Sequence, residues 1–164
     1  MTVLNAGSGE KLGEVTDALI HATQGRMIGI ALRTPEGEMR ALATRELFIG
    51  VDAVMAAKEA RFETLGQNEA LTGGVPAHEF VGANIVTEDG KLLGRVNEVY
   101  ISTERHQAVY HVAESTLRRF FGGGFYIAGN VPRAYSPDGV RMIVPDGTEN
   151  SRAVEPLAEA IQSR

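Results

Sequence analysis

The side chains able to do chemistry in this sequence are few. Histidine stands at His21, His78, His106 and His111. No pair has the His-x-x-x-His or His-Glu-x-x-His spacing that sets two imidazoles on one helical face around a metal. His106 and His111 lie five apart, and an odd separation puts side chains on opposite faces of a strand. All four therefore read as surface or half-buried residues. There is no cysteine, which removes a thiol nucleophile, a zinc ribbon, an iron–sulfur site and a disulfide scaffold. No Gly-x-Ser-x-Gly elbow is present. Two carboxylate pairs, Glu36 with Glu38 and Glu88 with Asp89, fall in stretches that read as turns. A catalytic carboxylate needs burial or a charged neighbour to move its pKa, so these pairs read as solvated. Gly7, Gly9 and Gly13 miss the Gly-x-Gly-x-x-Gly spacing and precede a strand rather than a helix, which excludes a dinucleotide loop. The expectation is a protein with no catalytic residues, no metal site and no cofactor, and so not an enzyme.

One stretch stands apart: Leu117-Arg118-Arg119-Phe120-Phe121-Gly122-Gly123-Gly124. Two cations, two aromatics and three glycines at a predicted hairpin tip make an adaptable contact surface, because Arg and aromatic residues dominate interface energetics. Arg118, Arg119, Phe120 and Phe121 are the candidate partner contacts. A competing reading buries both phenylalanines and leaves the glycines to make the turn. Charge narrows the partner. Sixteen Lys and Arg against 21 Asp and Glu give a net charge of −5, and neither half of the chain is basic. Nucleic acid and anionic membranes are thus disfavoured. The longest apolar runs, such as Met27 to Leu32, fall far short of the roughly 20 residues of a membrane helix. The first residues show neither a basic region nor an apolar one of secretory type. A cytoplasmic protein without membrane insertion is expected.

The elements that hold these residues come in two copies. Gly9 to Ile20 lies over Gly90 to Ile101 at an offset of 81, and Arg26 to Ala31 lies over Gln107 to Val112 at the same offset. Leu47-Phe48-Ile49 then falls over Phe125-Tyr126-Ile127 at offset 78, and Arg61-Phe62-Glu63 over Arg141-Met142-Ile143 at offset 80. A period of about 80 exceeds that of solenoid repeats, so each copy is a small domain. Copy one reads as strands over Leu12 to Ile20, Met27 to Arg33, Met39 to Ala43, Leu47 to Val51 and Arg61 to Leu65. Asp52 to Ala60 reads as a short helix with Asp52 as its N-cap. Copy two gives strands over Leu92 to Ile101, Val109 to Ala113, Phe125 to Ala128 and Val140 to Val144. Short, evenly spaced strands suit a small antiparallel barrel, which removes its edges by closing.

The expected division is 1–66 for the first copy, 67–79 for a Gly- and Pro-bearing linker, 80–148 for the second copy and 149–164 for a C-terminal helix. Val154, Leu157, Ala158 and Ile161 supply the apolar stripe of that helix at i, i+3, i+4 and i+7, and Pro156 suits its first turn. The helix would either dock on a barrel or bind a partner. Units of about 70 residues are marginal alone, so the two copies are expected to pack as a pair.

The motif Gly, two or three residues, Leu-Gly-x-Val resembles the opening of the PRC-barrel family. It stands here as Gly9-Glu10-Lys11-Leu12-Gly13-Glu14-Val15 and again as Gly90-Lys91-Leu92-Leu93-Gly94-Arg95-Val96. Copy two also resembles the family's later Gly-rich tip and Val-Pro segment, with Gly122 to Ile127 and Val131-Pro132. Copy one departs there, with Gly50-Val51-Asp52. The resemblance covers residues 5–65 and 80–146. It implies a mainly β fold of two tandem PRC-like barrels, acting through protein contacts and bringing no catalytic residues. Relatives include the cytoplasmic domain of a reaction-centre H subunit and the C-terminal domain of a ribosome-maturation factor. The resulting expectation is a non-enzymatic interaction or assembly module with an unidentified protein partner, and a homodimer is compatible with it. The alternative is a small-ligand or RNA-binding module using a groove between the barrels.

Overall fold

A computed structural model describes residues 1–64, 69–114 and 124–148 of the 164. The chain divides into two compact units. The first comprises Met1–His21 and Met27–Pro76, the second Ala22–Arg26 and Ala77–Arg164.

The first unit holds β1 (Thr2–Asn5), β2 (Lys11–His21), β3 (Met27–Arg33), β4 (Met39–Ala43), β5 (Leu47–Ile49), β6 (Ala53–Ala56) and β7 (Gly74–Pro76). Six of these run in the order β4-β3-β2-β1-β6-β5, with β7 added to the end of β2. All neighbours are antiparallel except β1 with β6, which are parallel. In the second unit a four-residue helix, α1 (Ala77–Phe80), precedes β8 (Asn84–Thr87), β9 (Leu92–Ser102), β10 (Gln107–Glu114), β11 (Gly124–Ala128), β12 (Ala134–Ser136) and β13 (Arg141–Val144). Their order is β11-β10-β9-β8-β13-β12, again with one parallel pair, β8 with β13. The two sheets are the same sheet twice, and the mainly β fold read from the sequence holds.

Equivalent glycines explain why the motif repeats. Gly9 and Gly90 have φ of 73° and 90° with open space where a Cβ would stand, so the turn into β2 or β9 asks for left-handed backbone. Gly13 and Gly94 serve packing, and Gly13 in addition holds a φ of 156° that side chains rarely adopt. A Cβ on Gly13 would collide with the Arg33 carbonyl oxygen, and one on Gly94 with that of Ala113. That shared contact fixes the equivalence of β3 and β10, Arg33 with Ala113, Ala31 with His111 and Gly29 with Val109, which corrects by one residue the offset of 81 that set Ala31 on Val112.

Three expectations need correction. Asp52 to Ala60 is not a helix; Ala53–Ala56 is β6, with Val54 1% exposed beside the fully buried Val3. Alanine and methionine favour helix weakly, and burial between β1 and β5 overrides them. Arg61 to Leu65 is not a strand in its described part, where Glu63 makes an isolated bridge to Ala41. The later alignment also shifts: β4 matches β11, β5 matches β12, and β6 matches β13. The turn Thr34 to Glu38 is tight, closed by Thr34 N–H to the Glu38 carbonyl at 2.9 Å, whereas residues 115–123 join β10 to β11. The offset therefore grows from 81 at Gly13 to 85 at Ala41 opposite Tyr126. Within 67–79, Glu69–Leu71 is a 3-10 turn, Gly74–Pro76 is β7 and Ala77–Phe80 is α1. The expected C-terminal helix at 149–164 lies outside the described residues.

Each unit has its own core. The first is aliphatic, around Val3, Ile20, Ile30, Leu32, Leu42 and Val54. The second is built on Phe80, Ile85, Tyr110, Ile127 and Met142, with the Phe80 ring 5.5 Å from Tyr110 and 5.0 Å from Tyr135.

Candidate functional site

The residues singled out for chemistry do not converge. His21 ends β2 half-buried, and His78 is exposed in α1. His106 sits in the turn before β10 with φ 50°, while His111 is within the strand. Among the described residues no three His, Asp or Glu side chains come close enough to hold a metal ion. Glu36 and Glu38 border an open depression of about 450 Å³ with Glu10, Lys11 and Arg40, and Glu38 is spent on Arg40 at 2.6 Å. Asp89 accepts a hydrogen bond from the Thr87 hydroxyl, which holds its carboxyl below the usual range despite some desolvation. Both pairs are turn residues, as the sequence suggested.

A second group was not recognised in the sequence. Along β10, Ala108, Tyr110 and Val112 are buried, while Val109, His111 and Ala113 are half-buried on the opposite, outer face. Register adds neighbours to that face. His111 stands opposite Tyr126 on β11 and Glu98 on β9, and Val109 stands opposite Ala128 and Tyr100. The His111 and Tyr126 rings are 4.9 Å apart, and Tyr126 is 6.3 Å from Tyr100, whose hydroxyl donates to Glu98 Oε2. Gly124 makes room, since a Cβ there would collide with His111 Nε2. His111 Nδ1 is buried with no hydrogen-bond partner among the described residues. The outer face of β9, β10 and β11 is thus a half-covered aromatic surface carrying one carboxylate and one imidazole. Period-2 alternation in Gln107–Glu114 was its sequence signal, but only the register brings Tyr100 and Tyr126 to His111.

On the inner face the Tyr110 hydroxyl is fully buried and has no partner among the described residues. Burial pushes its pKa above the range of ordinary tyrosines, and neighbouring Tyr135 adds to the effect. A hydroxyl kept protonated in an apolar core serves packing rather than acid–base work.

Ala113 pairs with Gly124 at the end of the β10–β11 ladder, and residues 115–123 connect the two strands. Arg118, Arg119, Phe120 and Phe121 fall in this connection and lie outside the described residues. Exposed apolar side chains occur elsewhere as well. Phe48 is 71% exposed on β5, an edge strand of the first sheet, and Val51 just beyond it is 94% exposed. No helix among the described residues is long and apolar enough to cross a membrane.

Comparison with known proteins adds the following. Residues 73–149 match the family described as the PRC-barrel domain. No curated protein matches the chain. Seven chains of solved structures match it. One is a RimM protein of Pseudomonas aeruginosa ascribed to 16S ribosomal RNA processing; it is 13% identical over 82% of this chain and 98% of its own, with a TM-score of 0.36.

Proposed function

We propose, from the premise that residues 73–149 are a PRC-barrel domain, that this chain is a non-enzymatic module that binds a protein partner through the β10–β11 connection. The supporting observation is a difference between two copies of one sheet. Where the first copy closes β3 to β4 with the short turn Thr34 to Glu38, the second inserts residues 115–123, including Arg118, Arg119, Phe120 and Phe121. A scaffold repeated strand for strand and lengthened most at this connection, nine residues against five, offers a binding loop on a rigid support. The inserted residues are of the types that anchor interfaces. We read the partner as protein rather than nucleic acid, since the net charge is −5.

The test is the full chain carrying Arg118→Glu with Phe121→Ala. Loss of two anchors at about 2 kcal/mol each, about 4 kcal/mol together, weakens partner binding on the order of 700-fold. The reading requires that far-UV circular dichroism and the thermal midpoint stay as in the wild type while partner recovery from the native host falls. Undiminished recovery by a folded variant overturns it.

A further inference from the structure

The strand order of the first sheet ends on β4 at one side and on β5 at the other. At β4 the chain that follows β6 returns, and Glu63 exchanges two backbone hydrogen bonds with Ala41, at 2.8 and 2.9 Å. No described segment does the same for β5. Gly50 N–H donates to the Ala53 carbonyl and Ala57 N–H to that of Glu46, so the positions bonded to β6 are the even-numbered ones. Leu47 and Ile49 therefore turn their backbone groups away from the sheet. The Leu47 N–H donates to the Thr44 carbonyl. That leaves the Leu47 carbonyl and both groups of Ile49 without a backbone partner among the described residues.

The side chains point to the same edge. Leu4, Met55 and Phe48 stand in register across β1, β6 and β5, on the face opposite the buried Val3 and Val54. Leu4 and Met55 are half-buried, whereas Phe48, where the row ends, is 71% exposed. Val51 follows it at 94% exposed. The second unit protects the equivalent edge. By register, Arg133 and Ala134 correspond to Leu47 and Phe48, and Pro137, which has no N–H to offer, corresponds to Val51. A charge and a proline are among the usual means of blunting an edge strand. Strand β5 carries neither.

We propose that β5 pairs antiparallel with β5 of a second copy of this chain, about a two-fold axis at Phe48. In that register the Ile49 N–H of each copy donates to the Leu47 carbonyl of the other, which uses the outward groups. The two Phe48 residues form the closer, non-hydrogen-bonded kind of pair, with about 4.5 Å between Cα atoms. The apolar row then runs unbroken through both sheets, Leu4, Met55 and Phe48 meeting the same three residues in reverse. This continuity singles out a second copy, because the two-fold axis brings to one exposed ring another that needs the same cover. The paired strands are short, so the association is weak and reversible. It is independent of the partner contact at 115–123.

Sedimentation equilibrium of the full chain, from about 10 μM to about 1 mM, is the test, and it is expected to show monomer and dimer in exchange. Phe48→Lys and Phe48→Glu, each alone, are expected to weaken the dimer at least about tenfold, since like charges then face each other across the axis. Mixing the two variants is expected to restore association several-fold, because opposite charges now meet. Met39→Lys, at a 41% exposed residue of β4, is expected to leave the dimer unchanged. A wild type that stays monomeric throughout overturns the proposal, and so does equal weakening by Met39→Lys. A mixture no better than either variant alone, with both folded by circular dichroism, overturns it as well, because Phe48 then does not meet its own copy.

Discussion

Ala31 and His111 occupy equivalent places in two sheets of one strand order, yet their surroundings have diverged. Around Ala31 are Gly29, Ala41 and Ala43, small enough for Leu71 to lie against the sheet. Around His111 are Val109, Tyr126 and Tyr100, half-covered, with Glu98 exposed beside them. The inner faces diverge similarly, since Ile30 gives way to Tyr110 and the aliphatic core to one organised by aromatic rings. What is kept is backbone: strand order, the parallel pair, and the glycines at 9, 13, 90 and 94. A duplicated sheet keeps the residues that set its geometry and is free to vary those that fill it.

The largest expected effect tests the aromatic core. Phe80 is fully buried against Tyr110 and Tyr135, so Phe80→Ala is expected to cost about 3–5 kcal/mol. Urea denaturation followed by circular dichroism measures it, and a loss below about 1 kcal/mol would show that the ring cluster does not hold the unit together. Next come the matched glycines. Gly13→Ala and Gly94→Ala each drive a Cβ into a carbonyl oxygen of the neighbouring strand, at an expected cost of about 1–3 kcal/mol. Gly13→Ala is expected to cost more than Gly94→Ala, by about 1 kcal/mol, because Gly13 also holds a φ of 156° that side chains rarely adopt; a smaller loss at Gly13 than at Gly94 would break the comparison.

Those glycines also mark what the sequence made legible. The Leu-Gly-x-Val motif located the duplication and the strands β2 and β9. Strands β1 and β8 were missed because each is four residues long and finds its parallel partner, β6 or β13, about 50 residues on; local pattern does not report such pairing. The alignment slipped at Leu47 because the added length lies in 115–123, among polar and glycine residues that carry no periodicity. His111 was weighed against His106, its neighbour in sequence, when its neighbours in space are Tyr126 and Glu98 across the ladder. Spacing along the chain could not supply the register.

A smaller effect is expected at Tyr110, with a sign set by its unpartnered hydroxyl. Tyr110→Phe removes a buried group that makes no hydrogen bond among the described residues, so stability is expected to stay level or rise by up to about 1 kcal/mol. Alkaline pH provides the discriminating measurement. The folded pKa is raised by burial above the ordinary value near 10. Below about pH 10 both states keep the proton, and above it the unfolded chain releases it first. The native state then binds more protons, and stability falls as pH rises toward the folded pKa. The Phe variant loses that part of the fall, and identical alkaline transitions would show that the hydroxyl is solvated after all.

The smallest effect belongs to the edge strands. By the register of β5 on β6 and of β12 on β13, Ile49 corresponds to Tyr135 and Phe48 to Ala134. Ile49 and Tyr135 are both half-buried, whereas Phe48 is 71% exposed and Ala134 is exposed too. Phe48→Ala carries the second unit's residue into the first, and because the ring covers little, stability is expected to change by no more than about 0.5 kcal/mol. Phe48 also lies on a sheet edge, where unpaired backbone and an exposed ring favour association of copies. Sedimentation of the same variant therefore separates two uses of the ring. A stability loss above about 1 kcal/mol would mean that the ring packs within its own unit. An unchanged melt with a shift toward monomer would mean that Phe48 serves contacts between molecules, where the second unit's alanine does not.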